Sequence, residues 1–354
     1  MMKVLLGNLV NVKTGKLDAN QADINGKYPF FTCSKEISKI NSYSYDCECV
    51  LIAGNGDLNV KYYNGKFEAY QRTYILTSID SNSLSNKYLY WFMNRYIVQL
   101  RNQSIGGVIK YIKLGDLTNI SLSLPTIDDQ RRIVRIFESI ERLISKKVFI
   151  LKALDDLIKS RFVEMFGIFN VNTNHQNTIK FKDLIEQNNT NEDDLVWLLN
   201  LDMIKANTGE IVEKVYINRQ NIPTSSISFK TGIVLYSKLR PYLNKVVIAD
   251  ENGYGTSELI PLNSDKNGLT AEYLAYYLRQ DSFVEYIKDK VTGAKMPRVA
   301  MDVLRNIDIV QPNYVYQEQF SSFVYQINKL KSDVQKSLDE TQLLMDSLMQ
   351  KYFG

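Results

Sequence analysis

The chain has 354 residues, enough for two or more domains with real cores, and its 45% hydrophobic and 23% charged residues are ordinary for a globular protein. No apolar run approaches the roughly 18 residues of a membrane span, and Met1–Val10 is too short for a signal peptide, so a cytoplasmic protein with no membrane association is expected. Three cysteines and one histidine argue against a disulfide framework, a zinc site or a histidine-dependent catalytic relay.

The net charge of +4 is unevenly spread: residues 1–125 hold 14 basic and 9 acidic residues, residues 168–311 hold 16 and 18. That balance permits nucleic-acid binding without demanding it. Cys33, Cys47 and Cys49 read as small buried thiols, and His175 falls in a polar connector.

Residues 1–125 open with Val4–Val12 and reach the Asn25-Gly26 turn signal. Three strand-like runs follow, Cys49–Ala53, Asn59–Tyr63 and Arg72–Leu76, punctuated by Gly54-Asn55-Gly56-Asp57 and Asn64-Gly65, which are the residues tight turns require. A helical stretch, Asn86–Gln103, leads to Gly106-Gly107 and a return to Pro125. The succession predicts an α+β domain over 1–125.

Residues 126–167 read as one long helix. From Ile133 the heptad a positions are Ile133, Ile140, Lys147 and Leu154; d gives Ile136, Leu143, Ile150 and Leu157; e gives Phe137, Ile144, Leu151, Ile158 and Met165. This is a broad apolar stripe at helical period, bracketed by Pro125 and Gly167.

Residues 168–180 form a linker, and 168–311 repeat the first globule's grammar in other words. Ile233–Tyr236 answers Val50–Ile52, the head of a helix at Glu272–Ala275 answers Lys87–Tyr90, and Gly293, Leu304, Asn306 and Pro312 stand 187 residues after Gly106, Leu117, Asn119 and Pro125. The chain closes on a second long helix, 312–354. At the same offset it places Phe320, Ile327, Val334 and Leu348 at a, Phe323, Leu330 and Leu344 at d, and Val324, Leu338 and Met345 at e, with Ser337 and Thr341 as polar interruptions.

The whole is a tandem repeat of an α+β globule followed by a long helix. Neither stripe can be buried alone, so the two helices are expected to pair antiparallel as a coiled coil with the globules at opposite ends. With a, d and e all apolar, two helices cannot cover the stripe, and further chains should dock on it.

Catalytic signatures are missing. There is no Pro-Pro pair of the kind amino-methyltransferases use, no complete phosphate loop, and no acid-acid-lysine cluster beside Ser257–Ile260. Lysine, arginine and tyrosine in or beside turns are the candidates for DNA, because phosphates take cations while base edges take Arg, Lys and Asn. In the first globule these are Lys61, Tyr63, Lys66, Arg72, Arg101, Lys110 and Lys113; in the second, Lys238, Arg240, Asn244, Lys245, Lys295 and Arg298. Lys238 and Arg240, as alternate residues leaving a strand, are expected to share one face.

The layout resembles the specificity subunit of Type I restriction-modification enzymes. The resemblance rests on Leu124-Pro125 with Gln130–Val134, on Gln311-Pro312 with Gln317–Phe320, and on the endings Met165-Phe166-Gly167 and Tyr352-Phe353-Gly354. Gly26–Thr32 with Ile109–Ile112, and Val234–Pro241 with Gly293–Val299, look like two varieties of that family's target recognition domain.

The resemblance implies a non-catalytic subunit in which each globule reads half of a split site in double-stranded DNA. The helices would set the gap and dock two methyltransferase subunits, with restriction subunits joining through these. S-adenosylmethionine, ATP and Mg2+ would belong to the partners. The competing reading from another class is a coiled-coil scaffold that binds only proteins.

Overall fold

The computed structural model describes residues 3–171, 176–186 and 194–354, so His175 lies outside the described residues. The chain forms two compact units, residues 1–147 with 337–354 and residues 148–336. Each unit therefore takes half of each long helix, rather than leaving the helices as separate segments between globules. The reason is packing: the ends of the helices are built into the globular cores.

In the first unit, strands Val10–Thr14, Thr73–Ser78, Tyr45–Ala53, Val60–Ala69, Tyr28–Phe31 and Ser38–Ile40 lie side by side in that order. All neighbours are antiparallel except Tyr28–Phe31, which runs parallel to Val60–Ala69. Asn64-Gly65 is not the expected turn. It stays in the ladder opposite Glu48 and Cys47, with Gly65 at φ +133° keeping the strand paired where other residues would be strained.

Helix α1 (Asn86–Gln103) covers one face of this sheet, burying Tyr88, Leu89, Trp91, Phe92 and Met93. Short helix α2 (Leu114–Thr118) precedes Ser121–Ser123, which pairs with Lys3–Leu5. The long helix α3 (Ile127–Phe166) then begins, with the Thr126 hydroxyl accepting from the Asp129 N–H as its N-cap.

In the second unit, Val215–Asn218, Leu195–Leu199, Gly253–Gly255 and Ile227–Phe229 form one sheet, and Val246–Ile248, Val234–Ser237 and Leu259–Leu262 another. The short helix α4 (Phe181–Leu184) follows strand Thr178–Lys180, which pairs with Asp308–Val310 as Lys3–Leu5 pairs with Ser121–Ser123. Where the first unit has α1, the second has α5 (Ala271–Arg279) and α6 (Asp281–Lys288), broken at the extended Gln280. Helix α7 (Met301–Arg305) leads to the second long helix, α8 (Tyr314–Phe353).

Within each unit the halves of α3 and α8 run antiparallel. In the first, Phe137 lies 6.2 Å from Tyr352 while Lys147 bonds Ser337; in the second, Phe162 lies 5.2 Å from Phe320 while Asp155 pairs with Lys331. The repeat extends to individual contacts. Phe353 at the end of α8 meets Tyr88 of α1 at 5.3 Å, and Phe166 at the end of α3 meets Tyr273 of α5 at 4.9 Å.

The buried stripe departs from the a/d pattern. Ile133, Phe137, Ile140, Ile158, Phe320, Val324 and Ile327 are buried, and Ile144, Leu151, Leu154, Val334 and Leu338 are half-buried. Among d positions Phe323 is half-buried, whereas Leu143, Ile150, Leu157, Leu330 and Leu344 are exposed. The seam is therefore a with e, which alternate at steps of three and four as a seam requires. Leu330 and Leu344 are corrected from seam residues to outward-facing ones. No helix among the described residues is long and apolar enough to cross a membrane.

Candidate nucleic-acid interface

Both units build the same device: a glycine-led loop lying against a loop that follows a core strand. In the first unit Ile105 and Tyr111 exchange backbone hydrogen bonds of 3.1 and 2.8 Å, closing the loop Ile105–Tyr111. Gly106 sits at φ +119°, and a Cβ there would lie 2.4 Å from the Ile109 carbonyl oxygen, so only glycine closes it. The loop is tied to Gly54–Asp57 through Gly56 N–H to Lys110 O at 2.8 Å and Ile112 N–H to Gly54 O at 3.0 Å. Gly54 N–H in turn donates to Arg72 O at 2.8 Å, which brings Arg72 and Lys110 onto adjoining segments.

In the second unit Val291–Thr292 pairs with Arg298–Val299 around the loop that starts at Gly293, φ +97°. That loop is tied to the segment after strand Val234–Ser237 by Arg240 N–H to Pro297 O at 2.8 Å and Val299 N–H to Lys238 O at 3.1 Å. The strand ends at Ser237, and Arg240 takes the left-handed conformation, φ 46° and ψ 58°. Lys238 and Arg240 are therefore not alternate residues of one extended segment. Arg240 is exposed at the turn, and Lys238 is half-buried beside the Glu258 backbone.

The thirteen candidates divide by what holds their side chains. Arg72, Lys110, Lys113, Arg240 and Lys295 are exposed, with no ion pair to any described residue. Lys66 is exposed too, its ammonium 4.6 Å from the Tyr43 ring centre. Arg298 is held by Glu258 at 2.9 Å, and that carboxylate raises the pKa of the guanidinium.

Other candidates serve the fold. Lys61 donates to Ser34 O at 2.6 Å and to Asn59 Oδ1, and burial lowers its pKa. Tyr63 packs on Phe31 and Phe67 at 5.1 and 5.7 Å. Arg101 clamps the Leu58 carbonyl at 3.2 and 2.6 Å and pairs with Asp57 at 3.4 Å. Asn244 is a correction: it is 3% exposed, its amide donates to Arg279 O at 2.9 Å, and no base edge could reach it. Lys245 is likewise turned inward, onto the Leu201 carbonyl.

Sequence reasoning passed over the apolar tips of these loops. Val108 and Ile109 stand out from the first, and Met296 from the second with Tyr242 exposed beside Arg240. The available signal was an apolar residue between a turn glycine and a cation, a composition suited to thymine methyls and base faces. Glu258 was also missed as the group that orients Arg298.

A family profile described as Type I restriction modification DNA specificity domain matches residues 1–152. Residues 1–152 therefore match the DNA specificity domain of Type I restriction-modification systems, and the chain as a whole is similar to a specificity subunit. It is 28% identical over 386 residues to the Type I restriction enzyme EcoDI specificity subunit of Escherichia coli, covering 98% of this chain and 85% of that protein. Among solved structures, the Type-I restriction-modification system S subunit from M. genitalium superposes with TM-score 0.62 at 13% identity, over 100% of this chain and 96% of that one. A chain from a structure on complex assembly and conformational transition of the type I R-M system gives 0.59 at 14% identity, over 99% and 97%. At those identities the two structures establish the shared fold.

Proposed function

We propose that each unit reads one half of a bipartite double-stranded DNA site, residues 1–125 and 168–311 acting as the two target recognition domains. The observation that carries this is the repeated loop pair. The same scaffold appears twice, with different exposed cations and apolar tips: Arg72, Lys110 and Val108 in one, Arg240, Lys295 and Met296 in the other. A protein-only scaffold would have no need to hold scaffold constant while varying such residues.

The long helices then set the gap between half-sites and carry the docking faces for two methyltransferase subunits, with restriction subunits joining through them. S-adenosylmethionine, ATP and Mg2+ are held by those partners, and the assembly works in the cytoplasm on host DNA. The isolated chain neither methylates nor cleaves DNA. The test is to map modified adenines in DNA treated with the chain plus its methyltransferase. A split motif supports the reading, and a contiguous motif, or methyl transfer by the chain alone, overturns it.

A further inference from the structure

The second unit forms a partly open cavity of about 230 Å3 between the last turns of α3, helix α5 and the loop at Asn207 and Thr208. None of the DNA candidates lines it. Phe162, Val163 and Tyr276 give it apolar walls, and Arg279, only 9% exposed, supplies a cation. Nε and Nη2 of Arg279 both donate to the Val246 carbonyl, at 3.0 and 2.6 Å, and the Tyr276 ring centre is 5.0 Å from the guanidinium carbon.

No carboxylate among the described residues forms an ion pair with this arginine. Asp155, which also lines the cavity, is bonded to Lys331 at 2.5 Å instead. Burial lowers the pKa of the guanidinium, offset only in part by its hydrogen bond to the Tyr276 hydroxyl and by the charge of Asp155, and a buried cation held this way is costly, so its retention calls for a reason. The backbone is shaped around it: Gly209, at φ +66°, lies where a Cβ would be 1.9 Å from Arg279 Nη2. Lys159 lines the cavity as a second cation with no ion pair among the described residues.

We propose that this cavity binds a small aromatic carboxylate, its oxygens on the Arg279 N–H groups that Val246 and Tyr276 leave unused and its ring against Tyr276 and Phe162. Guanidinium forks match carboxylates in geometry and charge. The volume, equal to about eight waters at ~30 Å3 each, admits one substituted ring.

The test titrates the full chain with benzoate and, in parallel, with benzamide, its uncharged isostere, reading thermal unfolding and calorimetric heat. Benzoate should raise the melting temperature saturably while benzamide does not, because only a ligand of the native state stabilises it. Two variants should abolish the shift: Arg279→Gln, which removes the charge, and Val163→Trp, which fills the cavity from its half-exposed wall without touching the guanidinium. No shift with benzoate, an equal shift with benzamide, or persistence of the shift in a folded Val163→Trp chain would each overturn the site.

Discussion

Gln130 and Gln317 hold the same post in the two units, and both are fully buried. Gln130 accepts from Ser85 N–H at 2.9 Å and donates to Ser83 O at 2.8 Å and Pro125 O at 3.0 Å. Gln317 accepts from Thr270 N–H at 2.9 Å and donates to Gly268 O at 3.1 Å and Pro312 O at 2.9 Å. Each glutamine thus staples the start of a globular helix to the start of a long one. Its recurrence was legible in the sequence; its purpose was not, because Ser83, Ser85, Gly268 and Thr270 lie more than forty residues from the glutamines they bond. Gln130→Ala leaves buried backbone groups unpaired and should cost about 2–4 kcal/mol, read as a lower urea midpoint. At Arg240, which is exposed and unpaired, an alanine should leave stability unchanged. It should cost about 1–3 kcal/mol of binding and relax only the half-site read by the second unit. Equal weakening on every DNA sequence would make Arg240 a phosphate contact.

At the scale of the helices, the sequence showed two stripes and their apolar residues, since periodicity is a local property. The choice of seam was not local. Which of a, d and e face the partner depends on how the helices are rolled, and the globules decide that by embedding Ile133, Phe137 and Ile140 on one side and Met345 on the other. The polar interruptions acquire a reason: Lys147, at an a position, donates to Ser337 O at 2.7 Å, Ser337 Oγ at 2.8 Å and Thr341 Oγ1 at 2.5 Å. A single polar seam position of this kind fixes register at a cost in stability. Lys147→Leu should therefore raise the urea midpoint by the equivalent of about 1–2 kcal/mol, Thr341 remaining satisfied by its bond to Ser337 O. Loss of stability would show that the lysine network is a net stabiliser. The outward positions define the docking test. Phe149, 72% exposed, and Leu157 are free faces, whereas Ile144 and Leu151 are half-buried in the seam. Phe149→Asp and Leu157→Asp should weaken assembly with the methyltransferase and leave the melting temperature within a degree or two. Unchanged assembly in light scattering would place the docking surface elsewhere.

For the whole molecule, the duplication was visible because Gly, Pro and Gln recur at one offset, and those residues mark turns and caps that survive divergence of everything between. Strand order was not visible. The parallel pairing of Tyr28–Phe31 with Val60–Ala69 and the inward turn of Lys61, Asn244 and Lys245 arise from contacts distant in sequence. One consequence of two readers joined by helices can be tested directly. Helix α3 is 40 residues long, about 60 Å at 1.5 Å per residue. Four residues inserted after Lys152 lengthen it by about 6 Å and rotate its C-terminal part by only about 40° beyond a full turn, so the seam stays nearly in phase. The loops at Gly106 and Gly293 are untouched, and so are the side chains they present. If the helices set the gap, the recognised bases stay the same and the unread gap grows by one or two base pairs, at about 3.4 Å each. Sequencing of methylated sites from the insertion variant, supplied with its methyltransferase, decides the matter. Altered half-site bases with an unaltered gap would show that spacing is fixed by the recognition domains rather than by helix length.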